Sequence, residues 1–231
     1  AFVQDSYQIS TYADLQLGTR VSFSPIASKM VLSPRMLFAY RPAQENTIFR
    51  LSLGVFHQEP GFRTMKNMDG YLVPVQDFQR SFNATLGYDY AFNVVDKRLK
   101  FSSELYYKYT DRMIPYMMDN LKIRYFSNQL ATGKTYGLDL MLAGELVEDL
   151  VSYFRISVMK ANQREITNPL LTQRDPEYVG MSMRRPTDQR FNISAFFQDR
   201  LMNNPSYKVH LNMVYGSRLP IGQPDVSFYS D

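Results

Sequence analysis

The feature that most restricts this chain is a two-residue rhythm held over unusually long stretches. Phe82, Ala84, Leu86, Tyr88, Tyr90 and Phe92 fall on one side of an extended chain, and Asn83, Thr85, Gly87, Asp89 and Ala91 fall on the other. Alternate residues of a strand point to opposite faces, so this is a strand pattern, about twice as long as a common globular strand. The rhythm recurs in Phe49–Val55, Phe101–Tyr109, Tyr136–Leu146, Phe191–Phe197 and Val209–Tyr215. Helical spacing competes only across Tyr136–Val151, where Gly137 and Gly144 weaken it. The chain is read as almost entirely β.

About ten strands are expected: Phe2–Ser10, Ala13–Phe23, Leu32–Arg41, Thr47–His57, Arg80–Asn93, Leu99–Thr110, Thr135–Leu146, Val151–Lys160, Asp188–Asp199 and Lys208–Gly216. Their connections alternate in length. Short polar links (Pro42–Asn46, Asn93–Arg98, Val147–Leu150, Arg200–Ser206) take turns with long ones (His57–Gln79, Asp111–Lys134, Ala161–Thr187 and the stretch after Gly216). Such sorting predicts antiparallel strands running up and down, with the long loops at one end. A Greek-key sandwich would not separate its loops in this way.

Strands this long, apolar on one face and small or polar on the other, match tilted transmembrane β-strands. In lipid every backbone polar group needs a partner, so such strands belong to a closed barrel. The apolar face would look toward hydrocarbon, Ser, Asn, Thr, Gly, Asp and Lys would line the lumen, and Tyr and Phe near strand ends would form interfacial girdles. Short turns would then be periplasmic and long loops extracellular. A soluble up-and-down barrel, with the apolar face turned inward, shows the same alternation and stays open as an alternative. No stretch has the roughly 20 apolar residues of a spanning helix, and AFVQDSYQIS lacks the basic start and apolar centre of a secretory signal.

Composition narrows the chemistry. Cysteine is absent and only His57 and His210 are present, so disulfides, thiolate chemistry and multi-histidine metal sites fall away. The formal charge of +4 is scattered without a basic tract, which argues against nucleic acid. Gly133-Lys134-Thr135 invites a phosphate-loop reading, but Asn128 stands where the loop's first glycine belongs and a strand follows. His57, Gln58 and Glu59 make half a metal site at most, before Pro60; a strand-end histidine at the rim is the simpler reading. Glu104 and Asp139 could pair as catalytic carboxylates, yet both occupy polar-face positions where charges pair or are solvated. Asn83-Ala-Thr85 and Asn192-Ile-Ser194 match glycosylation acceptors but lie inside strands. No Ser/His/Asp constellation is legible, and the chain is not read as an enzyme.

Several stretches resemble the carboxy-terminal half of TonB-dependent outer-membrane receptors and transporters of the Bacteroidota type. They are AFVQDSYQIS with LQLGTR, then LSPRMLFAYRP, FRLSLGVFHQEPGFRTM, LYYKYTDRMIPY, NQLATGKTYGLDLML and RRPTDQRFNISAFFQD, in that family's order and near its spacing. The resemblance implies a fragment of a barrel of about 22 strands, preceded in sequence by a plug domain that is not seen here. The segment Gly18–Met30 is shorter than the family's usual loop there. What the resemblance implies about function is TonB-energised uptake of a scarce bulky nutrient: a ferric siderophore, cobalamin or an oligosaccharide. It implies as partners the outer-membrane bilayer, the TonB complex acting through the plug, a small-molecule or glycan ligand, and a surface lipoprotein over the mouth in the glycan-importing branch. No cofactor is implied. A non-transporting barrel that acts as a structural or adhesive protein through its long loops is the alternative from another class. The chain opens within a strand and closes after a loop, so we expect a piece of something longer, which would aggregate in water when isolated.

Outward loops rich in aromatics and hydrogen-bonding groups are where ligand contacts are expected. Phe62, Arg63, Lys66, Tyr71 and Gln76 are offered by the His57–Gln79 loop, and Arg112 and Tyr116 by the loop after Asp111. Arg184 and Arg185, with Asp188 and Arg190 close by, either collect anionic ligand groups, for which guanidinium forks are suited, or cross-link the wall to its loops.

Overall fold

The structure is a computed structural model that describes residues 1–25, 28–43, 46–59, 61–66, 70–72, 77–119, 122–127, 130–147, 149–167, 182–201 and 203–220. Among these there is no helix, and none long and apolar enough to cross a membrane. The strands are β1 (Phe2–Ser10), β2 (Ala13–Ser24), β3 (Lys29–Tyr40), β4 (Thr47–Gln58), β5 (Gln79–Val94), β6 (Lys97–Met113), β7 (Tyr116–Asp119), β8 (Lys122–Tyr125), β9 (Leu130–Val147), β10 (Leu150–Thr167), β11 (Ser182–Arg184), β12 (Phe191–Leu201) and β13 (Asn204–Gly216).

One antiparallel sheet follows the order β1-β2-β3-β4-β5-β6-β9-β10-β12-β13, with β11 on β10, while β7 and β8 make a separate hairpin. The up-and-down order and the segregation of long loops to one end are as expected. The sheet is open: β1 and β13 are its edges, and among the described residues β1 pairs only with β2 and β13 only with β12. Strand ends depart from expectation on the loop side. β9 starts at Leu130 and not Thr135, and β10 runs to Thr167 and not Lys160, because the two continue to pair up to Thr167 with Leu130. The Gly133-Lys134-Thr135 triplet therefore lies within a strand and is not a loop-to-strand entry. Two expected loops contain β7, β8 and β11. β12 begins at Phe191 and not Asp188, since β11 takes the place beside β10 along Asn162–Arg164 and β12 takes over at Val158.

Register turns the alternation into continuous rows. Tyr7, Leu15, Phe38, Leu51, Leu86, Leu105, Leu138, Val158 and Phe191 are successive cross-strand partners through nine strands. On the other face, Gln8, Asp14, Ala39, Arg50, Gly87, Glu104, Asp139, Ser157, Asn192 and Gly216 form the corresponding row. The apolar face is the uncovered one. On β5, Leu86 is 53% exposed while Asp89 is only 4% exposed. Phe82 and Tyr90 are exposed with Leu86, and Ser81 and Gly87 are buried with Asp89. Leu138 is exposed as well. The buried apolar residues that the structure describes are few, chiefly Met65, Phe78, Met113 and Leu150, and among the described residues no second layer covers the apolar face. A domain in water buries that face against another layer; here it faces out.

The apolar belt also slants across the register rows. On β2 the apolar positions run to Phe23, eight residues beyond Leu15 toward the long-loop end, with only Thr19 interrupting. On β10 they stop at Val158, in the central row itself, and Lys160 follows. At the other margin β3 stops at Tyr40, two residues past Phe38, whereas β9 continues to Leu146, eight past Leu138. Aromatics mark both margins. Tyr40, Phe49, Tyr88 and Phe101 are in ring contact toward the short turns, with successive centroids 5.2–6.4 Å apart, and Tyr107, Tyr109 and Tyr136 lie on the same face toward the loops.

Candidate functional site

Two clusters gather charge at the long-loop end. The first is built on Asp77, which precedes β5. Its carboxylate accepts from Lys29 Nζ at 3.1 Å, pairs with Arg112, and accepts the Phe78 N–H at 3.0 Å. It therefore ties the end of the β4–β5 loop to the β2–β3 hairpin and to β6. Phe78 is thereby buried, edge-on to the His57 ring at 6.4 Å, while His57 Nδ1 is 3.1 Å from the Ser33 hydroxyl. Arg80 joins Asp111 at 2.7 Å, and the Ser24 hydroxyl donates to Glu59. Burial of Asp77 opposes its ionisation. The hydrogen bonds from Lys29 and from the Phe78 N–H, with the Arg112 and Lys29 charges, outweigh that and hold the carboxyl below the ordinary carboxylate range.

The second cluster closes the gap between β11 and β12. Where β10 passes from one neighbour to the other, the Ala161 N–H has no strand carbonyl to meet. The Asp188 carboxylate accepts it at 2.6 Å and also accepts Arg184 Nε at 2.8 Å and Arg190 Nε at 2.7 Å. The side chain of Asp188 is sealed from solvent, and the Arg185 N–H donates to the Ala161 carbonyl at 3.0 Å. Burial again pushes the Asp188 carboxyl up, and the hydrogen bonds from Arg184, the Ala161 N–H and Arg190 prevail and lower it. Arg185 Nε is buried without a partner among the described residues.

The expected ligand contacts separate between these settings. Phe62 and Tyr71 stand out from the β4–β5 loop, 74% and 73% exposed, with Arg63 and Lys66 exposed beside them and Lys66 bridged to Leu72. Gln76 lies outside the described residues. Arg112, with a left-handed backbone at φ 56°, is brought to the base of that loop through Asp77. Tyr116 is on β7, its ring 5.8 Å from that of Tyr125 across the hairpin. Arg184 is held by Asp188, and Arg185 is pinned to β10. No contact described joins the Arg184–Arg185 group to the β4–β5 loop.

Reading the sequence missed Lys29, Asp77 and Asp111, because each is an ordinary charged residue until register brings partners to it. It also missed an aromatic ladder on the polar face. Tyr153, Phe196 and His210, on β10, β12 and β13, stack with centroids 5.6 and 6.2 Å apart and planes 28° and 17° from parallel. Elsewhere on that face, Arg50 and Lys100 reach Asp89 at 3.1 and 3.4 Å, and Glu104 lies directly across from Asp139. Among the described residues no group of three or more His, Asp or Glu is placed to hold a metal ion. Comparison with protein-family models, with curated proteins and with solved structures found no match for this chain.

Proposed function

We propose that this chain forms part of the barrel wall of an outer-membrane transporter of the TonB-dependent kind, with the long loops outside the cell and a bulky scarce nutrient as cargo. The observation that carries the membrane part is the slanted, uncovered apolar belt. Six strand steps lead from β2 to β10, and over them the belt slips by eight residues, about 1.3 per strand. That is ~4.5 Å along the chain for each ~4.8 Å across it, the geometry of strands inclined by about 43°, within the range of transmembrane barrels. A belt that must stay level with a flat hydrocarbon slab has to slip along tilted strands. A soluble sheet has no such slab to follow. The transport part rests on the ordered motif resemblance, from AFVQDSYQIS to RRPTDQRFNISAFFQD. The exposed Phe62, Arg63, Lys66 and Tyr71 and the ladder Tyr153–Phe196–His210 are the surfaces such a cargo would meet.

The test has two stages. The intact protein should fractionate with the outer membrane and migrate differently on a gel before and after boiling; detergent-free solubility would refute the barrel. Cells lacking the protein should then lose growth on one limiting nutrient, and collapse of the inner-membrane proton gradient should abolish the uptake. Normal uptake of every candidate cargo class, with loss of surface adhesion, would instead favour the structural or adhesive barrel.

A further inference from the structure

Lys134, Lys160 and Arg164 all fall at apolar-face positions of β9 and β10, on the loop side of the belt. Lys134 is the partner of Asn162, and Lys160 and Arg164 flank Asn162 two residues to either side on the same face. Strand geometry puts the three Cα positions within roughly 14 Å. Lys134 and Arg164 are exposed, and none of the three has a carboxylate partner among the described residues. By contrast, Arg80, Arg112, Arg184 and Arg190, also at the loop end, have carboxylate partners. The apolar-face positions of β9 and β10 include no Asp or Glu, whereas the opposite face of β9 has Asp139 and Glu145. Tyr136 on β9 and its partner Tyr107 on β6 lie next to the cluster on the side of the belt, with Tyr109 opposite Lys134. An amphipathic aromatic belongs at the boundary between hydrocarbon and headgroups. Lys160 is level with Tyr136, and Lys134 and Arg164 lie one and two same-face steps beyond it, so three unneutralised cations run from the aromatic margin into headgroup depth.

We propose that this cluster binds the phosphate of an anionic lipid in the leaflet on the long-loop side. The proposal rests on the membrane reading above. Each cation near an anionic surface contributes about fivefold in binding, and three acting on one headgroup make the site selective for net negative charge over a zwitterionic phosphate.

The test is native mass spectrometry of the intact protein released from detergent with equal amounts of phosphatidylglycerol and phosphatidylcholine. The wild type should retain phosphatidylglycerol at least tenfold more. The triple variant Lys134→Gln, Lys160→Gln, Arg164→Gln should fall near parity, and Arg63→Gln with Lys66→Gln should not change the ratio. Each variant is first required to show wild-type heat-modifiable migration, and Lys134→Arg should keep the preference. Unchanged selectivity in the triple variant overturns the site while leaving the membrane reading intact. Displacement by inorganic phosphate at the lipid's concentration also overturns it, in favour of a free-anion pocket. A protein that needs no detergent and retains neither lipid overturns both.

Discussion

Placing a charge on the central apolar row separates lipid from water as the surroundings of that face. Leu86 lies between Leu51 and Leu105 in the row, and on β5 the apolar positions run from Phe82 to Phe92. Ten residue steps at ~3.4 Å, projected through a tilt of about 43°, span roughly 25 Å, the height of the apolar band of a transmembrane barrel. Leu86 is then near the midplane, where Arg destabilises by about 2–4 kcal/mol, and Phe82 is near a margin, where the effect is about 0–1 kcal/mol. Were the face in water, Leu86→Arg at a half-exposed position would lose only part of two cross-strand contacts, under ~1 kcal/mol. The assay is reversible denaturant unfolding of the intact protein in phospholipid vesicles, comparing Leu86→Arg, Phe82→Arg and the opposite-face Thr85→Arg. We expect Leu86→Arg to exceed both others by at least ~1.5 kcal/mol. Equal values at Leu86 and Phe82, or a smaller value at Leu86, would refute the orientation of the sheet and with it the barrel.

A side chain at Gly137 would put its Cβ 2.5 Å from both the Tyr106 hydroxyl and the Val158 carbonyl oxygen. Gly137→Val should therefore destabilise by about 1–3 kcal/mol in the same unfolding assay, and Tyr106→Ala should relieve it only in part because the backbone oxygen cannot move away. Asp188→Ala leaves the buried Ala161 N–H without an acceptor, worth about 1–3 kcal/mol. Arg184 and Arg190, being half exposed, can turn to water and add little, so hydrogen exchange should accelerate at Ala161, at β11 and at the start of β12, and nowhere else. Asp77 and Asp188 both have carboxyl groups that titrate lower in the folded chain than in the unfolded one. Their stabilisation is thus complete above the unfolded value of about 4 and is lost as pH falls through the folded values, which exchange rates at Phe78 and Ala161 measured from pH 6 to pH 3 would report. The two-residue turn Val95–Asp96 has φ values of 48° and 60°, left-handed geometry that a β-branched residue resists. Val95→Asn should raise stability by roughly 0.5–1 kcal/mol, and no rise in the denaturation midpoint would count against that turn geometry.

The sequence made the strands legible because their environment is two-sided. A residue in a sheet with one uncovered apolar face and one polar face has its class dictated by parity, so Phe82–Phe92 announces its own faces. The loop-side ends of β9 and β10 were less legible, since Lys134, Asn162 and Arg164 look like loop residues although their backbone pairing continues. β11 is three residues long and carries no periodicity at all. The group of Arg184, Asp188 and Arg190 was legible because it is local in sequence. The rest of the site was legible residue by residue and not as an arrangement: the carboxylate of Arg112 is Asp77, thirty-five residues away in sequence. No local pattern encodes a pairing at that range. The ladder of Tyr153, Phe196 and His210 hid for a related reason: Tyr153 and Phe196 break the alternation of their strands while His210 keeps to it, and nothing joins the three until register stacks them.

The open edges carry the strongest physical demand that the membrane reading makes. In an antiparallel edge strand alternate residues direct both N–H and C=O away from the sheet, so β1 with nine residues leaves about eight such groups and β13 with thirteen about twelve. In water they are solvated. In hydrocarbon each unmet group is unfavourable by several kcal/mol, so the two edges together amount to tens of kcal/mol, more than the net stability of a folded domain. A sheet with this belt can therefore enter a bilayer only if β1 and β13 both gain partner strands, whether each other or further ones. Backbone amide exchange resolves this directly: in the intact protein in vesicles, the outward N–H groups of β1 and β13 should be protected as strongly as those of β5. Fast exchange along both edges, with β5 protected, would mean that the sheet stays open, and an open sheet cannot lie in hydrocarbon.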